Sequence, residues 1–374
     1  MIEQSKNLVA AASNRESLDS RPLTICVTGG AGFIGSAVIR LIIEETNHNV
    51  VNFDKLTYAA CLASVGDAAR SERYQFVQGD VAESDDVEAM YEAHKPDIIM
   101  HLAAESHVDR SIDGPGLFLH TNVHGTYTML QGALKHYRGL SALDQQRFVF
   151  LNVSTDEIYG SLGATGFFTE DSQVCPSSPY SASKASADHL VRAWTHTYGL
   201  PTVTTNCSNN YGPCQFPEKL IPLMVLRGLA GDSLPVYGTG LQVRDWLHVE
   251  DHARALWLVA TTGAIGRDYL IGGKSERTNL QVVHGICAAL DDRFPERAPH
   301  SSLIAHVKDR PGHDQRYAID ASRIEAELGW KATHSFEQGL ADTIEWYLNN
   351  EDWWRPLQER YEGQRLGADS KAAK

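Results

Sequence analysis

The run Thr28-Gly29-Gly30-Ala31-Gly32-Phe33-Ile34-Gly35-Ser36 constrains this chain more than any other stretch. It follows an apolar segment, Leu23 to Val27, with the pattern of a buried strand, and it opens a helical pattern from Ala37 to Ile43. Strand, glycine-rich turn and helix in that order form a dinucleotide-binding fingerprint. Gly29 allows the tight turn, Gly32 keeps a Cβ out of the path of a pyrophosphate, and Gly35 lets helix and strand pack closely. The phosphates then meet free N–H groups and the positive end of the helix dipole. Asp54 closes the next apolar run, Val50 to Phe53, nineteen residues after Gly35. A carboxylate there holds a ribose 2′-hydroxyl and repels a 2′-phosphate, so the cofactor expected is NAD. Lys55 beside it works slightly against that preference.

Strand and helix patterns keep alternating downstream. Strands are expected at Tyr74 to Gly79, at Asp97 to Ala104 with its exit, at Phe148 to Ser154 and at Thr202 to Thr205. Helices are expected from a Ser84 cap, around Asn122 to Tyr137, and from Tyr180 onward. This alternation predicts an α/β fold, a Rossmann-like doubly wound parallel sheet. After Asn206 the texture changes: prolines recur at 213, 217, 222 and 235, and helices shorten. That predicts a smaller C-terminal α/β substrate-binding domain. The expected division is a disordered extension over 1–20, a dinucleotide-binding domain over 21–205, and a substrate domain over most of 206–367. Residues 245–271 rejoin the first domain, with helical spacing read across Asp245 to Thr261. Val282 to Leu290 and Phe336 to Tyr347 read as amphipathic helices. A length of 374 residues suits two such domains, and 43% apolar residues supply their cores.

A formal net charge of −14 argues against nucleic acid and anionic membranes as partners. No apolar run approaches the ~20 residues of a membrane span. Residues 1–20 lack the apolar core of a secretory leader, so none is expected. Cysteines at 26, 61, 175, 207, 214 and 287 show no Cys-x-x-Cys pair. Reduced thiols and a cytoplasmic location are the expectation. His101 and His107 have no acidic or cysteine partner at metal spacing, so they read as structural and no metal is expected.

Three groups of residues carry chemistry. Tyr180 and Lys184 stand four apart on a helix and share a face. An ammonium beside a phenol favours phenolate, which makes Tyr180 a base for a hydroxyl proton as hydride leaves the same carbon. Ser154 at the neighbouring strand end is placed to orient that proton. Asp156 and Glu157 leave the same strand at the carboxyl edge of the sheet, where sites of this fold class lie. Elimination of water needs such a pair, one acid and one base. Lys219, Arg244 and Arg310 lie outside helical ion-pair patterns and offer donors for a diphosphate. Each group alone also occurs as a solvated surface cluster. Together, downstream of the fingerprint, they point to oxidation coupled to elimination.

The fingerprint with Tyr180-Ser181-Ala182-Ser183-Lys184 resembles the extended short-chain dehydrogenase/reductases. Further motifs are Asp54 to Ala59, His101 to Arg110, Ser154 to Glu157, Gln242 to Trp246 and Asp309 to Asp314. They are similar to the nucleotide-sugar branch of that family, in particular its 4,6-dehydratases acting on dTDP-glucose. The resemblance spans roughly residues 23 to 367. Its specific part is Thr155-Asp156-Glu157, because sugar epimerases of the same superfamily usually lack acids at the last two positions.

The resemblance implies a reaction. Tyr180 removes the 4-hydroxyl proton while NAD takes hydride from carbon 4, and Thr155 hydrogen-bonds that oxygen. Glu157 takes the carbon 5 proton, Asp156 protonates the departing 6-hydroxyl, the hydride returns to carbon 6, and the carbon 5 proton is replaced. It also implies cofactor contacts at Gly29, Gly32, Phe33, Ile34, Gly35, Asp54, Lys55, Leu56, Thr57, Asp80, Val81, Leu102, Ala103, Ala104, Ser106, Thr121, Tyr180, Lys184 and Asn210. Substrate contacts are implied at Ser106, Thr155, Asn209, Lys219, Leu220, Pro235, Val236, Tyr237, Arg244, Asn279, Asp309, Arg310, Pro311, Gly312 and His313. A homodimer is implied through helices over Asn122 to Tyr137 and Ala182 to Tyr198. The chain departs from the family pattern in its N-terminal extension, in a short Ser161 to Cys175 segment, and in Ala60-Cys61 where Gly-Asn is usual. Two other readings share some of these residues. A 4-epimerase would use Tyr180 and Lys184 but not the two acids, and a non-enzymatic NAD sensor would need neither pair.

Overall fold

The computed structural model describes residue 15 and residues 21–360. Its strands are β1 (Thr24–Thr28), β2 (Asn49–Asp54), β3 (Tyr74–Gln78), β4 (Ile98–His101), β5 (Val149–Thr155), β6 (Thr202–Cys207), β7 (Asn209–Tyr211), β8 (Leu234–Tyr237), β9 (Val243–His248), β10 (Asp268–Ile271), β11 (Glu276–Thr278) and β12 (Ile304–Val307). Seven of them form one sheet in the order β10-β6-β5-β4-β1-β2-β3. Every pairing in it is parallel, with Val27 of β1 opposite Asn52 on one side and Met100 on the other. Helices cover both faces, so the central strands are apolar without alternation. The strand order reverses between β1 and β4, which opens a crevice at their carboxyl ends.

One face of the sheet packs against helices Phe33–Glu45 and Val249–Thr262, through Ile25, Val27, Val38, Ile42, Leu256 and Val259. The other packs against helices Ser84–His94, Thr126–Gly139 and Pro179–Tyr198, through Cys26, Phe53, Met90, Met129, Phe150 and Trp194. A separate core gathers Ile221, Met224, Val282, Ile286, Phe336 and Leu340 beneath helices Leu220–Ala230, Asn279–Arg293 and Phe336–Asn349. The small sheets β11-β9-β7 and β12-β8 lie in this half of the chain.

Several local expectations are corrected. Helix was read from Asp245, but Val243–His248 is strand β9 and the helix starts at Val249. The Asp245 carboxylate accepts the N–H groups of Gly273 (3.0 Å) and Ser275 (2.6 Å), which ties this segment down in extended form. Ser84 does not cap its helix; Glu83 is the N-cap and makes no side-chain bond there. Asp86 instead accepts the N–H of Asp80 at 2.9 Å. Asn122 lies inside a helical run rather than at its start, preceded by Pro115–Phe118 within the π-helical turn Leu119–Gly125. Within the stretch read as a disordered extension, Arg15 is buried and donates to the carbonyls of Ala260 (3.2 Å) and Gly263 (3.1 Å). The rest of 1–20, and the polar tail after Gly367, lie outside the described residues. Among the described residues no helix is long and apolar enough to cross a membrane.

Candidate active site

A cleft of about 490 Å³ opens at the carboxyl ends of β1, β2, β4, β5 and β6. The glycine turn forms its floor. Gly29 sits at φ +69, in the left-handed region, and a Cβ there would stand 2.9 Å from the Ala103 backbone. A Cβ on Gly35 would stand 2.3 Å from the Gly29 carbonyl oxygen, so helix and turn meet only through glycine. At Gly32 the nearest atom to such a Cβ is the Gly29 oxygen at 3.1 Å, which leaves the cleft side open for a phosphate. Asp54 reaches back over the turn, its two oxygens accepting the N–H groups of Ala31 (3.0 Å) and Leu56 (2.7 Å). Burial raises its pKa, and those two bonds oppose the rise. The Lys55 ammonium pairs with Asp80, so it brings no free positive charge to attract a 2′-phosphate. These residues fit NAD.

Phe33, Ile34, Thr57, Val81, Leu102, Ala103, Ala104, Ser106, Thr121 and Asn210 also line the cleft. Leu56 does not line it; with φ 62 it turns the chain after β2.

At the far end stand Thr155, Asp156, Glu157, Tyr180 and Lys184. The Lys184 ammonium is buried and donates to the Val153 carbonyl at 2.9 Å. The Thr155 hydroxyl is near enough to the Tyr180 phenol to favour its ionised form. Two readings from sequence are corrected here. The phenol is not eased toward phenolate by Lys184. Burial raises its pKa well above the ordinary value, the Glu157 and Cys207 charges raise it further, and the Thr155 hydroxyl opposes them. Nor does Ser154 orient the phenol: its hydroxyl donates to Asp188 at 2.7 Å. Successive side chains on a strand point to opposite faces, so Thr155 rather than Ser154 meets Tyr180.

Asp156 and Glu157 differ in company. Asp156 is almost fully buried, and its Oδ2 has no hydrogen-bond partner. Burial, Glu157 and Asp245 hold its pKa well above the carboxylate range, with Arg244 as the opposing cation. Glu157 is also raised by burial, but Arg310, Arg244 and Lys219 all favour its ionised form. The three cations singled out in the sequence thus converge on one carboxylate. Lys219 Nζ donates to the Ser106 carbonyl at 3.1 Å, and Arg244 lies over the Tyr317 ring at 4.3 Å. Arg310 pairs with Asp109 at 3.3 Å, and Tyr237 donates to the same carboxylate at 2.7 Å. Asp309 accepts from Gln242 (2.9 Å) and pairs with His313 (2.6 Å).

Of the expected substrate residues, Ser106, Thr155, Asn209 and Lys219 line the cleft. Leu220, Pro235, Val236, Tyr237, Arg244, Asn279, Asp309, Arg310, Pro311, Gly312 and His313 do not. His101 is buried between the hydroxyls of Thr28 (2.9 Å) and Thr126 (3.1 Å). His107 lies 3.6 Å from Glu218. Tyr58, Glu105, Phe216 and Glu218 line the cleft without having been assigned a role from sequence. Tyr58 and Glu105 fall inside quoted motifs; Glu218 carries no local signal beyond its neighbour Lys219.

The model of the GDP-mannose 4,6 dehydratase family matches residues 26–343. The chain belongs to this family. A curated dTDP-glucose 4,6-dehydratase of Neisseria meningitidis is 54% identical over 349 residues, 92% of this chain and 98% of that one. A dTDP-glucose 4,6-dehydratase of Escherichia coli is 54% identical over 359 residues, 92% and 99% of the two chains. Among solved structures, the dTDP-glucose 4,6-dehydratase of Streptomyces venezuelae with NAD bound superposes with a TM-score of 0.83 at 43% identity, covering 90% of this chain and 100% of that one. The UDP-glucose 4-epimerase of Thermus thermophilus, also with NAD, gives 0.77 at 25% identity, covering 88% and 100%. The family therefore shares its fold with an epimerase.

Proposed function

We propose that this chain converts dTDP-glucose to dTDP-4-keto-6-deoxyglucose and water with resident NAD. The observation that carries the reading is the Asp156–Glu157 pair beside Tyr180, with its unequal surroundings. When bound, NAD takes up hydride from sugar carbon 4 and returns it to carbon 6. Tyr180, as phenolate, accepts the 4-hydroxyl proton and becomes the phenol, and Thr155 steadies the phenolate before the transfer and the sugar oxygen during it. Glu157, whose ionised form three cations favour against the effect of burial, removes the carbon 5 proton made acidic by the adjacent ketone, and a proton returns to carbon 5 as the hydride reaches carbon 6. Asp156, held protonated by burial, gives its proton to the 6-hydroxyl as water leaves. Lys219, which lines the cleft, is the donor offered to the sugar nucleotide, and Arg244 and Arg310 stand outside the cleft lining as further cations acting on Glu157.

Two further statements belong to this reading. The active form is a homodimer through the helices around Leu119 to Gly139 and Pro179–Tyr198, where Leu119, Tyr127 and Tyr198 are exposed. The setting is the cytoplasm, consistent with six unpaired cysteines. Incubation with dTDP-, UDP-, GDP- and CDP-glucose, followed by product mass, tests the reaction. Loss of one water from dTDP-glucose is expected; an isomer of unchanged mass would overturn the dehydratase reading in favour of an epimerase.

A further inference from the structure

Beside the glycine turn and the loop after β2, the cleft is lined by an arrangement that the reaction does not use. Glu218 is 6% exposed and lies just before helix Leu220–Ala230. Its carboxylate accepts the Tyr58 hydroxyl at 3.1 Å and the Arg110 Nε at 3.3 Å. Tyr58 comes from the loop after β2, next to Asp54 and the glycine turn. Arg110 comes from the short helix Val108–Asp113 after β4, and its guanidinium stacks over the Tyr58 ring at 3.8 Å. On the other side Phe216 meets Tyr58 edge to face at 5.5 Å. Three chain segments distant in sequence therefore meet at one carboxylate, and Tyr58, Phe216 and Glu218 line the cleft itself.

We propose that Glu218 is the pin of a latch that keeps NAD in the cleft between turnovers. The proposal rests on the resident-cofactor reading above: a reaction that restores its oxidant each cycle gains nothing from releasing it. Glu218 is a positioning residue here, acting through Tyr58 and Arg110. To open the cleft along the β2 loop, Tyr58 must leave its bond to a buried carboxylate and slide out from between Arg110 and Phe216. Opening therefore strands a buried charge with fewer partners, which is costly.

The test measures exchange of bound NAD for a fluorescent etheno-adenine analogue in the full-length protein, with thermal melting as the check on folding. Glu218→Gln leaves a neutral amide with one acceptor oxygen facing two donors. Hydrogen bonds to charged groups are strong enough that exchange should quicken about ten- to hundredfold. Tyr58→Phe removes a single hydroxyl, keeps the ring, and should quicken exchange several-fold without shifting the melt. The double variant should exchange more slowly than the product of the two single effects predicts, because both changes break one bond. If Glu218→Gln does not fold, Tyr58→Phe alone carries the test. Exchange at the unmodified rate in the folded variants would overturn the latch and leave the reaction standing. An unmodified protein that purifies without nucleotide would overturn both.

Discussion

Asp156 and Glu157 are neighbours with the same functional group, and their surroundings set them apart. One faces a single cation from a buried position, the other faces three. Asp156→Asn and Glu157→Gln keep shape and hydrogen bonding but cannot exchange the proton. Each should lower formation of the 4-keto-6-deoxy product by about 10²–10⁴-fold. In deuterated water Glu157→Gln should also lose exchange at carbon 5, whereas Asp156→Asn should retain it. Product mass with deuterium content checks both, and normal turnover in the two variants would make the pair structural. Thr155 makes a separate prediction. Its hydroxyl opposes the charges that raise the Tyr180 pKa, so Thr155→Val should raise that pKa further. If phenolate is the active form, the rising limb of the single-turnover rate against pH moves to higher pH, and the rate at neutral pH falls. A limb that stays in place or moves to lower pH would refute the role given to Thr155. The identities of these residues were legible in the sequence because the motif is contiguous. The company that tunes them was not: Arg244, Arg310 and Lys219 arrive from distant segments, and the high Tyr180 pKa comes from burial that spacing does not reveal.

At the scale of elements, the exit of β5 is held in place by Asp188, one helical turn beyond Lys184. Asp188 accepts from Asn152 (2.8 Å) on β5, Ser154 (2.7 Å) at its end and Asn206 (3.2 Å) on β6. Burial pushes its carboxyl up to about 6, and the Lys184 charge and these donors oppose the rise. One side chain thus binds the long helix to two strands at the depth where the chemistry sits. Asp188→Ala leaves the Asn152 and Ser154 donors unpaired, while Asn206 keeps the Thr155 carbonyl at 3.3 Å, and each unsatisfied group costs about 1–3 kcal/mol. A destabilisation of at least about 2 kcal/mol in urea unfolding is expected; a change within about 0.5 kcal/mol would mean that water replaces the carboxylate without loss. The strands themselves were readable from their apolar runs, and the helix from Tyr180 was readable from its own spacing. The Asp245 stretch misled because the helical spacing at Ala253, Leu256, Trp257 and Ala260 belongs to the helix that starts at Val249 and does not mark where that helix begins. Its extended form depends on the Gly273 and Ser275 amides, which no local pattern announces.

At the scale of the molecule, the doubly wound half was written in the order of strands and helices, but the contacts that bring the two halves together were not. Tyr237 and Arg310 meet Asp109 across 128 and 201 residues of sequence, and Arg15 docks on a helix end 245 residues away. The same holds for assembly. Leu117 and Leu119 are 52% and 54% exposed on one helical run, and Leu117 also lines the cleft. Tyr127 on that run meets Trp194 of helix Pro179–Tyr198 edge to face at 5.9 Å, and Tyr198 is exposed beside it. A monomer would leave this apolar and aromatic face in water at the rim of its own site, whereas a second copy bringing the same face would cover it. Leu119→Glu combined with Tyr127→Glu places charges on the face through which we propose that two copies meet. Sedimentation equilibrium should then give the monomer mass, against twice that mass for the unmodified chain. Because Leu117 joins the face to the cleft, the separated variant should also turn over several-fold more slowly. A variant that stays dimeric, or an unmodified chain that sediments as a monomer, would move the interface elsewhere or remove it.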